Sequence, residues 1–285
     1  MVQIGVVFPQ TESGTDTGTI RAYTQAANDL GFQHMVAYDH VVTTGPSHPD
    51  TYAYGRQLFH EPFVLFGYLA ALTEMELVPA VIILPQRQTA LVAKQAAEID
   101  ILTKGKFRLG IGVGWIPAEF EALGVNFNER GRIMNEQMEA LRLLWTQETV
   151  TYHGKYITLN DVGLNPMPLT RPIPLWLGGS AEPVLRRLAR LGDGWFPQGT
   201  PEQNKPTLER LRRYFQEAGR DPSTLGIEGR INATDGTPDT WRRLAEGWRD
   251  AGATHLCFST MNAGYTSIDQ HIEAIRRFKE TVSDL

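Results

Sequence analysis

The sequence predicts an α/β fold, a (β/α)8 TIM barrel with insertions at the C-terminal face of the strands. Short apolar runs of strand length alternate with helix-period segments from end to end, as a parallel sheet with crossover helices requires. Eight such runs occur, the number that closes a barrel. The longest connections, Val41–Glu61, Trp115–Ile173 and Ser259–Thr266, all follow strand C-termini, where barrel active sites are built. An open doubly wound sheet is the alternative, because periodicity does not sense closure.

In order, the strands are expected at Gln3–Phe8, His34–Ala37, Leu77–Leu84, Phe107–Val113, Pro174–Leu177, Gly194–Phe196, Ile227–Ile231 and His255–Phe258. Helices fall near Thr17–Leu30, Pro62–Thr73, Leu91–Thr103, Glu182–Leu191, Gln203–Ala218, Asp239–Ala251 and Ser267–Thr281. In the first of these, Ile20, Tyr23, Ala26, Ala27 and Leu30 recur at helical spacing, and Gly31 stops it as a C′ glycine would. Pro62 suits the first position of a helix.

With 285 residues, 42% apolar and 21% charged, the chain has ample material for a core, and no composition break or linker divides it. A single domain over residues 1–285 is expected. A net charge of −5 without a run of Lys and Arg argues against nucleic acid or an anionic membrane as partner. Cys257 is the only cysteine, so neither an intramolecular disulfide nor a thiolate metal cluster can form, and a reducing cytoplasm suits it. The N-terminal apolar run is too short for a signal segment, and no stretch approaches the roughly 20 apolar residues that span a bilayer.

Three short segments carry chemistry. Asp39-His40 stands directly after the second strand, where an imidazole would project into the barrel mouth and an adjacent carboxylate could orient or charge it. A helix cap or a surface ion pair would explain it equally simply. Gly110-Ile111-Gly112-Val113-Gly114-Trp115 ends the fourth strand. It lacks the third glycine of a dinucleotide fingerprint, and Pro117 interrupts the helix start, so a nicotinamide site is rejected. Its glycines leave room for a flat ring against the backbone, or for tight strand packing.

Gly178-Gly179-Ser180 joins a strand to a helix, and its N–H groups with the hydroxyl would form a cradle for phosphate. An ordinary turn with Ser180 as N-cap is the competing explanation. Arg186, Arg187 and Arg190 follow on the helix, as support for an anionic tail or merely solvated. His48, Tyr52, Tyr54, Phe59 and His60 in the first long connection suit the wall of an apolar pocket, or pack that loop onto the barrel. No His, Cys or acidic spacing matches a metal site.

Several motifs together resemble the luciferase-like monooxygenase superfamily: Asp39-His40-Val41-Val42, Leu84-Pro85-Gln86-Arg87, Gly112-Val113-Gly114-Trp115, Glu119-Phe120-Glu121-Ala122-Leu123-Gly124, Trp176-Leu177-Gly178-Gly179-Ser180 and Leu191-Gly192-Asp193-Gly194-Trp195. They are most similar to its deazaflavin branch, which uses coenzyme F420. The resemblance implies an oxidoreductase that moves a hydride between F420 and a small organic substrate, and a homodimer. It implies the cofactor phosphate at Gly178, Gly179 and Ser180, with Asp39, His40, Gly112 and Val113 beside the ring and His40 as proton donor.

Members of this family carry a non-prolyl cis peptide in the third strand. Matched to Pro85, it would fall near Val81-Ile82, which would back the ring. Sugar-phosphate dehydrogenases of the superfamily have a carboxylate where this chain has Trp115 and a tryptophan where it has Thr44. An apolar or aromatic substrate is therefore expected. An FMN-dependent monooxygenase and a cofactor-binding protein without turnover are the alternatives.

Overall fold

A computed structural model of the chain describes residues 2–55 and 57–285, and for 53–55 the backbone only. In chain order the elements are β1 (Gln3–Val7), α1 (Thr17–Asp29), β2 (His34–Ala37), α2 (Pro49–Gly55), α3 (Pro62–Leu69), β3 (Glu76–Pro79), β4 (Ile82–Ile83), α4 (Thr89–Leu102) and β5 (Leu109–Gly112). Next come α5 (Pro117–Ala122), α6 (Arg130–Thr146), β6 (Val150–His153), β7 (Thr158–Val162), β8 (Leu175–Gly178), α7 (Glu182–Leu191) and β9 (Gly194–Phe196). The chain finishes with α8 (Pro201–Glu217), β10 (Gly226–Asn232), α9 (Pro238–Asp250), β11 (His255–Ser259) and α10 (Ile268–Thr281).

The parallel sheet runs β3-β2-β1-β11-β10-β9-β8-β5-β4. It closes because β3 and β4 are the two halves of the third strand, interrupted by a cis peptide between Ala80 and Val81, and because Leu77 also bridges Phe107. The expected unbroken strand Leu77–Leu84 is thus corrected to two short pieces, and the cis bond lies one residue before Val81-Ile82. Gly31 has a positive φ of 73° and ends α1 as expected, and Pro62 follows the N-cap Glu61, whose carboxylate accepts from Val64 N–H.

The segment 115–173 holds more than a loop. It contains the crossover helix α6, whose Met134, Met138, Leu141 and Trp145 are buried at helical spacing, and an antiparallel hairpin of β6 with β7. The expected long connection is corrected by this helix.

Inside the barrel, every second residue of a strand points inward, as strand geometry requires. A lower polar layer contains His34, Glu76, Arg108, Trp176, Glu228 and His255. Arg108 is 2% exposed, its Nε donates to Glu76 at 2.9 Å, its Nη2 lies 2.7 Å from Glu228, and its guanidinium covers the Trp176 ring at 4.2 Å. Above it Val7, Val36, Val78 and Cys257 form an apolar layer. Small residues make this filling possible. A Cβ on Gly110 would stand 1.9 Å from the Pro79 carbonyl oxygen, so close strand packing accounts for that glycine.

Two predictions follow from this interior. Gly110→Ala forces backbone apart, at a cost of about 3 kcal/mol. For a chain this size that is a fall of roughly 6–10 °C in the thermal midpoint. Gly67→Ala, in α3 with open space around it, should leave the midpoint unchanged or raise it. Equal midpoints for the two variants would contradict the packing account.

The second concerns acid. Burial alone would raise the Glu228 carboxyl, but the charges of Arg108 and His34 hold it far below the usual carboxylate range. Burial, with the Arg108 and His34 charges, pushes His255 from 6.5 down to about 3. The unfolded chain binds protons that the fold refuses, so stability present above pH 6.5 is lost as pH falls from 6.5 towards 3. Thermal midpoints should decline over that window, and His255→Phe should flatten the decline between pH 6.5 and 4.5. Parallel curves for the two proteins would remove His255 from the account.

Candidate active site

A cavity of about 350 Å³ opens at the C-terminal end of the barrel. Val7, Val36 and Cys257 contribute to its floor and Trp115, 56% exposed, to its rim. Of the sequence-predicted site residues, Asp39, His40, Val81, Gly112, Val113, Gly178 and Gly179 all line it. Ile82 does not. It is fully buried in the outer core, while Ala80, Val81 and Ile83 face the cavity, so the expectation for Ile82 is corrected by the break in the strand. Ser180 is exposed and outside the cavity wall.

Val81 explains two of the glycines. A Cβ on Gly112 would lie 2.6 Å from a Val81 methyl, and one on Gly178 would lie 3.3 Å from another. Glycines on β5 and β8 therefore make room for the side chain that follows the cis bond.

The carboxylate expected to orient His40 is corrected. Asp39 is 4% exposed and engaged elsewhere: Arg87 Nη1 and Nη2 lie 2.8 Å and 3.0 Å from its two oxygens, and Ile83 N–H donates to it at 3.3 Å. It anchors the end of β2 to the turn after β4. On His40, Nδ1 lies 2.6 Å from Oε1 of Glu119, which is 1% exposed and receives Gln86 Nε2 on its other oxygen at 3.0 Å.

Neighbouring residues Gln86 and Arg87 thus position two carboxylates, one for His40 and one for the barrel. Gln137 of α6 holds their turn through the carbonyls of Leu84 and Arg87. A proton on Nδ1 facing Glu119 fixes the orientation of the imidazole at the cavity edge. Glu119 was visible in the sequence only as part of a motif, since 79 residues separate it from His40.

At the Gly178-Gly179-Ser180 turn, Gly179 has φ of 104° and its carbonyl accepts from the buried Trp195 indole at 2.8 Å. Helix α7 begins after Ala181, not Ser180, and no side chain caps it. Two arginines are held by amide and backbone oxygens. Arg187, on α7, is 7% exposed and donates to Asn135 and to the Gly131 carbonyl, which corrects the expectation of a solvated side chain. Arg130 donates to the Gly114 carbonyl. Neither has a carboxylate within 4.0 Å among the described residues.

The loop 41–61 packs on the barrel. His60 Nε2 donates to the Gly14 carbonyl at 3.2 Å and its ring meets Phe8, Phe59 lies against His40 with ring centroids 4.7 Å apart, and Thr51 donates to Thr44. None of His48, Tyr52, Phe59 and His60 lines the cavity, and the side chain of Tyr54 lies outside the described residues. The fold also gathers possible metal ligands that sequence spacing hid. Ligand atoms of His34, Glu228 and Cys257 lie within 4.8 Å of one another. Arg108 already neutralises that glutamate, and burial pushes the Cys257 thiol up, so the cluster is an ion-pair core.

If His40 moves the proton, His40→Ala should lower turnover by about 10²–10⁴-fold with a much smaller change in cofactor affinity. Glu119→Gln should lower kcat more than it changes KM, and Glu119→Asp should restore part of the loss. An unchanged kcat in Glu119→Gln would show that the short contact is structural only.

A family model described as luciferase-like monooxygenase matches residues 2–281. The FMNH2-dependent dimethylsulfone monooxygenase of Pseudomonas putida is 32% identical over 249 residues, 85% of this chain and 66% of that protein. The F420-dependent hydroxymycolic acid dehydrogenase of Mycobacterium tuberculosis is 29% identical over 255 residues, 88% of this chain and 68% of that one. Among solved structures, an F420-dependent secondary alcohol dehydrogenase in complex with an F420–acetone adduct superposes with a TM-score of 0.77 at 18% identity, covering 97% of this chain and 99% of its own. With the match spanning nearly every residue of the barrel, this chain belongs to the luciferase-like monooxygenase family.

Proposed function

We propose that this protein is a coenzyme F420-dependent oxidoreductase that moves a hydride between the deazaflavin and a small organic substrate. The observation that carries it is one cavity, bounded by the Ala80–Val81 break on one wall and the Gly178-Gly179 turn on another, with the His40–Glu119 pair at its edge. The residues fit such a cofactor. An added Cβ on Gly179 would meet only Val184 methyls at 3.7 Å, so the turn leaves open space, and the uncapped start of α7 offers N–H donors to a phosphate.

Arg130 and Arg187 add positive charge of the kind that suits an anionic tail beyond the phosphate. The motifs at 39–42 and 112–115 resemble the deazaflavin branch most closely. Catalysing as a homodimer in the cytoplasm is part of the same proposal. No helix among the described residues is long and apolar enough to cross a membrane.

When bound, the reduced deazaflavin supplies a hydride from ring carbon 5. Ala80 and Val81 would back the ring, and the apolar wall would keep water away and hold the substrate within about 3–3.5 Å of the donor carbon. His40 would give or take the substrate's proton at Nε2, with Glu119 holding the imidazole in place. An FMN-dependent monooxygenase is the second possibility, favoured by the dimethylsulfone monooxygenase relative, because the same phosphate cradle serves either cofactor.

Fluorescence titration of the purified protein separates the two. F420 should bind at least tenfold more tightly than FMN, about 1.4 kcal/mol. Gly179→Ala, strained by its positive φ at a cost of about 1–3 kcal/mol, should stay folded and weaken F420 by tenfold or more. Equal or tighter FMN binding, or oxygen consumption coupled to reduced FMN, would overturn the F420 assignment.

A further inference from the structure

The walls of the cavity carry charge of both signs, but the balance is uneven. Asp39 is matched by Arg87, and Glu228 by Arg108. Arg230, at the inward-facing end of β10, also lines the cavity, and it has no carboxylate within 4.0 Å among the described residues. Asp235, which acts on it through space, stands beyond that distance and is held by the backbone N–H and side-chain amide of Asn232. Its Nη1 donates to the Tyr38 hydroxyl oxygen at 3.1 Å.

Tyr38 accepts there, so its own O–H remains a donor. Burial raises the phenol and keeps it protonated at neutral pH. A half-buried guanidinium in a mostly apolar cavity loses hydration that only an anion fully restores.

We propose that the cavity accepts an organic acid, an apolar or aromatic body carrying a carboxylate or sulfonate that sits on the Arg230 guanidinium beside the Tyr38 hydroxyl. The placement favours a substrate over the cofactor. The Arg230–Tyr38 link joins β10 to the end of β2 across β11 and β1, and Arg230 stands two strands from the proposed phosphate turn on β8, although Asp39 and His40 bring the end of β2 beside the proposed ring site as well. Arg230 is thus set apart from the phosphate turn, on the side of the cavity left for a second molecule. Two donors converging on one oxyanion fix the head group, and the apolar floor and Trp115 rim receive the body. The inference deepens the proposed function, since it names the substrate class of the same cavity, but its charge test needs no cofactor.

The test pairs acids with neutral isosteres: benzoate with benzamide, and benzenesulfonate with benzenesulfonamide. Isothermal titration of the full-length protein without cofactor should give at least tenfold tighter binding for one acid of the set than for its amide. Arg230→Met should erase that preference, and Arg230→Lys should retain part of it. Circular dichroism and thermal midpoint establish that the variants fold, and Tyr38→Phe, which keeps the ring, should weaken the acid several-fold without abolishing binding.

F420 affinity of Arg230→Met should stay within threefold of the parent. Equal binding of acids and amides, or silence of every acid in the set, overturns the proposal. So does a tenfold loss of F420 affinity in Arg230→Met with acid preference intact, which would put the charge on the cofactor. If F420 and FMN both fail to bind while the acid preference holds, the cofactor assignment falls and the acid site stands.

Discussion

Burying Arg108 in the middle of the barrel is the constraint on which the rest of the interior depends. A guanidinium removed from water is costly unless carboxylates meet it, and here Glu76 and Glu228 do so from two other strands, with Trp176 stacked on its face. Removing one partner of such a set costs about 3–5 kcal/mol, because the other charge is left buried and unpaired. The cluster therefore pins β3, β5 and β10 at one level. It also fills the lower barrel, so that the open volume is confined to the mouth, above Val7, Val36 and Cys257. A glycine at 5, 194 or 226 is the steric counterpart, since added Cβ atoms there would collide with the His34 or Trp176 rings.

Above that plug, the site is organised by charge pairing at one turn. Gln86 and Arg87 are adjacent in sequence and point to Glu119 and Asp39, so a single piece of backbone sets both the His40–Glu119 pair and the anchor of β2. Because α6 grips this turn through Gln137, the long insertion between β5 and β8 supports the site as well as covering the barrel. The family's dual use of F420 and FMN fits such an arrangement. In such proteins the cofactor carries the reactive ring, and the protein supplies its placement and electrostatic surroundings.

Much of the fold was legible in the sequence. Strands 34–37 and 194–196 and helix 182–191 lie where their periodicity puts them, because apolar alternation and helix stops are local signals. Helix 130–146 was equally local but was obscured by the hairpin that follows it. The break at Ala80–Val81 has no such signal, as Pro79 through Leu84 reads as one apolar run. In the site, His40 and the Gly-Gly turn were identifiable from strand ends. The His40–Glu119 contact was not, since adjacency in sequence favoured Asp39 while tertiary packing chose a residue 79 positions away. Arg108, Glu228 and Arg230 also escaped, because an isolated charge in a short strand does not reveal which way it faces.

Val81 fills the space that side chains at 112 and 178 would need, and the three positions lie at the β3–β4 break, on β5 and on β8. They hold one shared volume, and a change at any of them alone either clashes or opens a void. Over evolutionary time such a wall moves by compensated exchange, a smaller residue at 81 admitting an alanine at 112 or 178. Among relatives these positions should therefore vary as a set, and the contour of the cavity can be preserved while the strand that supplies it changes.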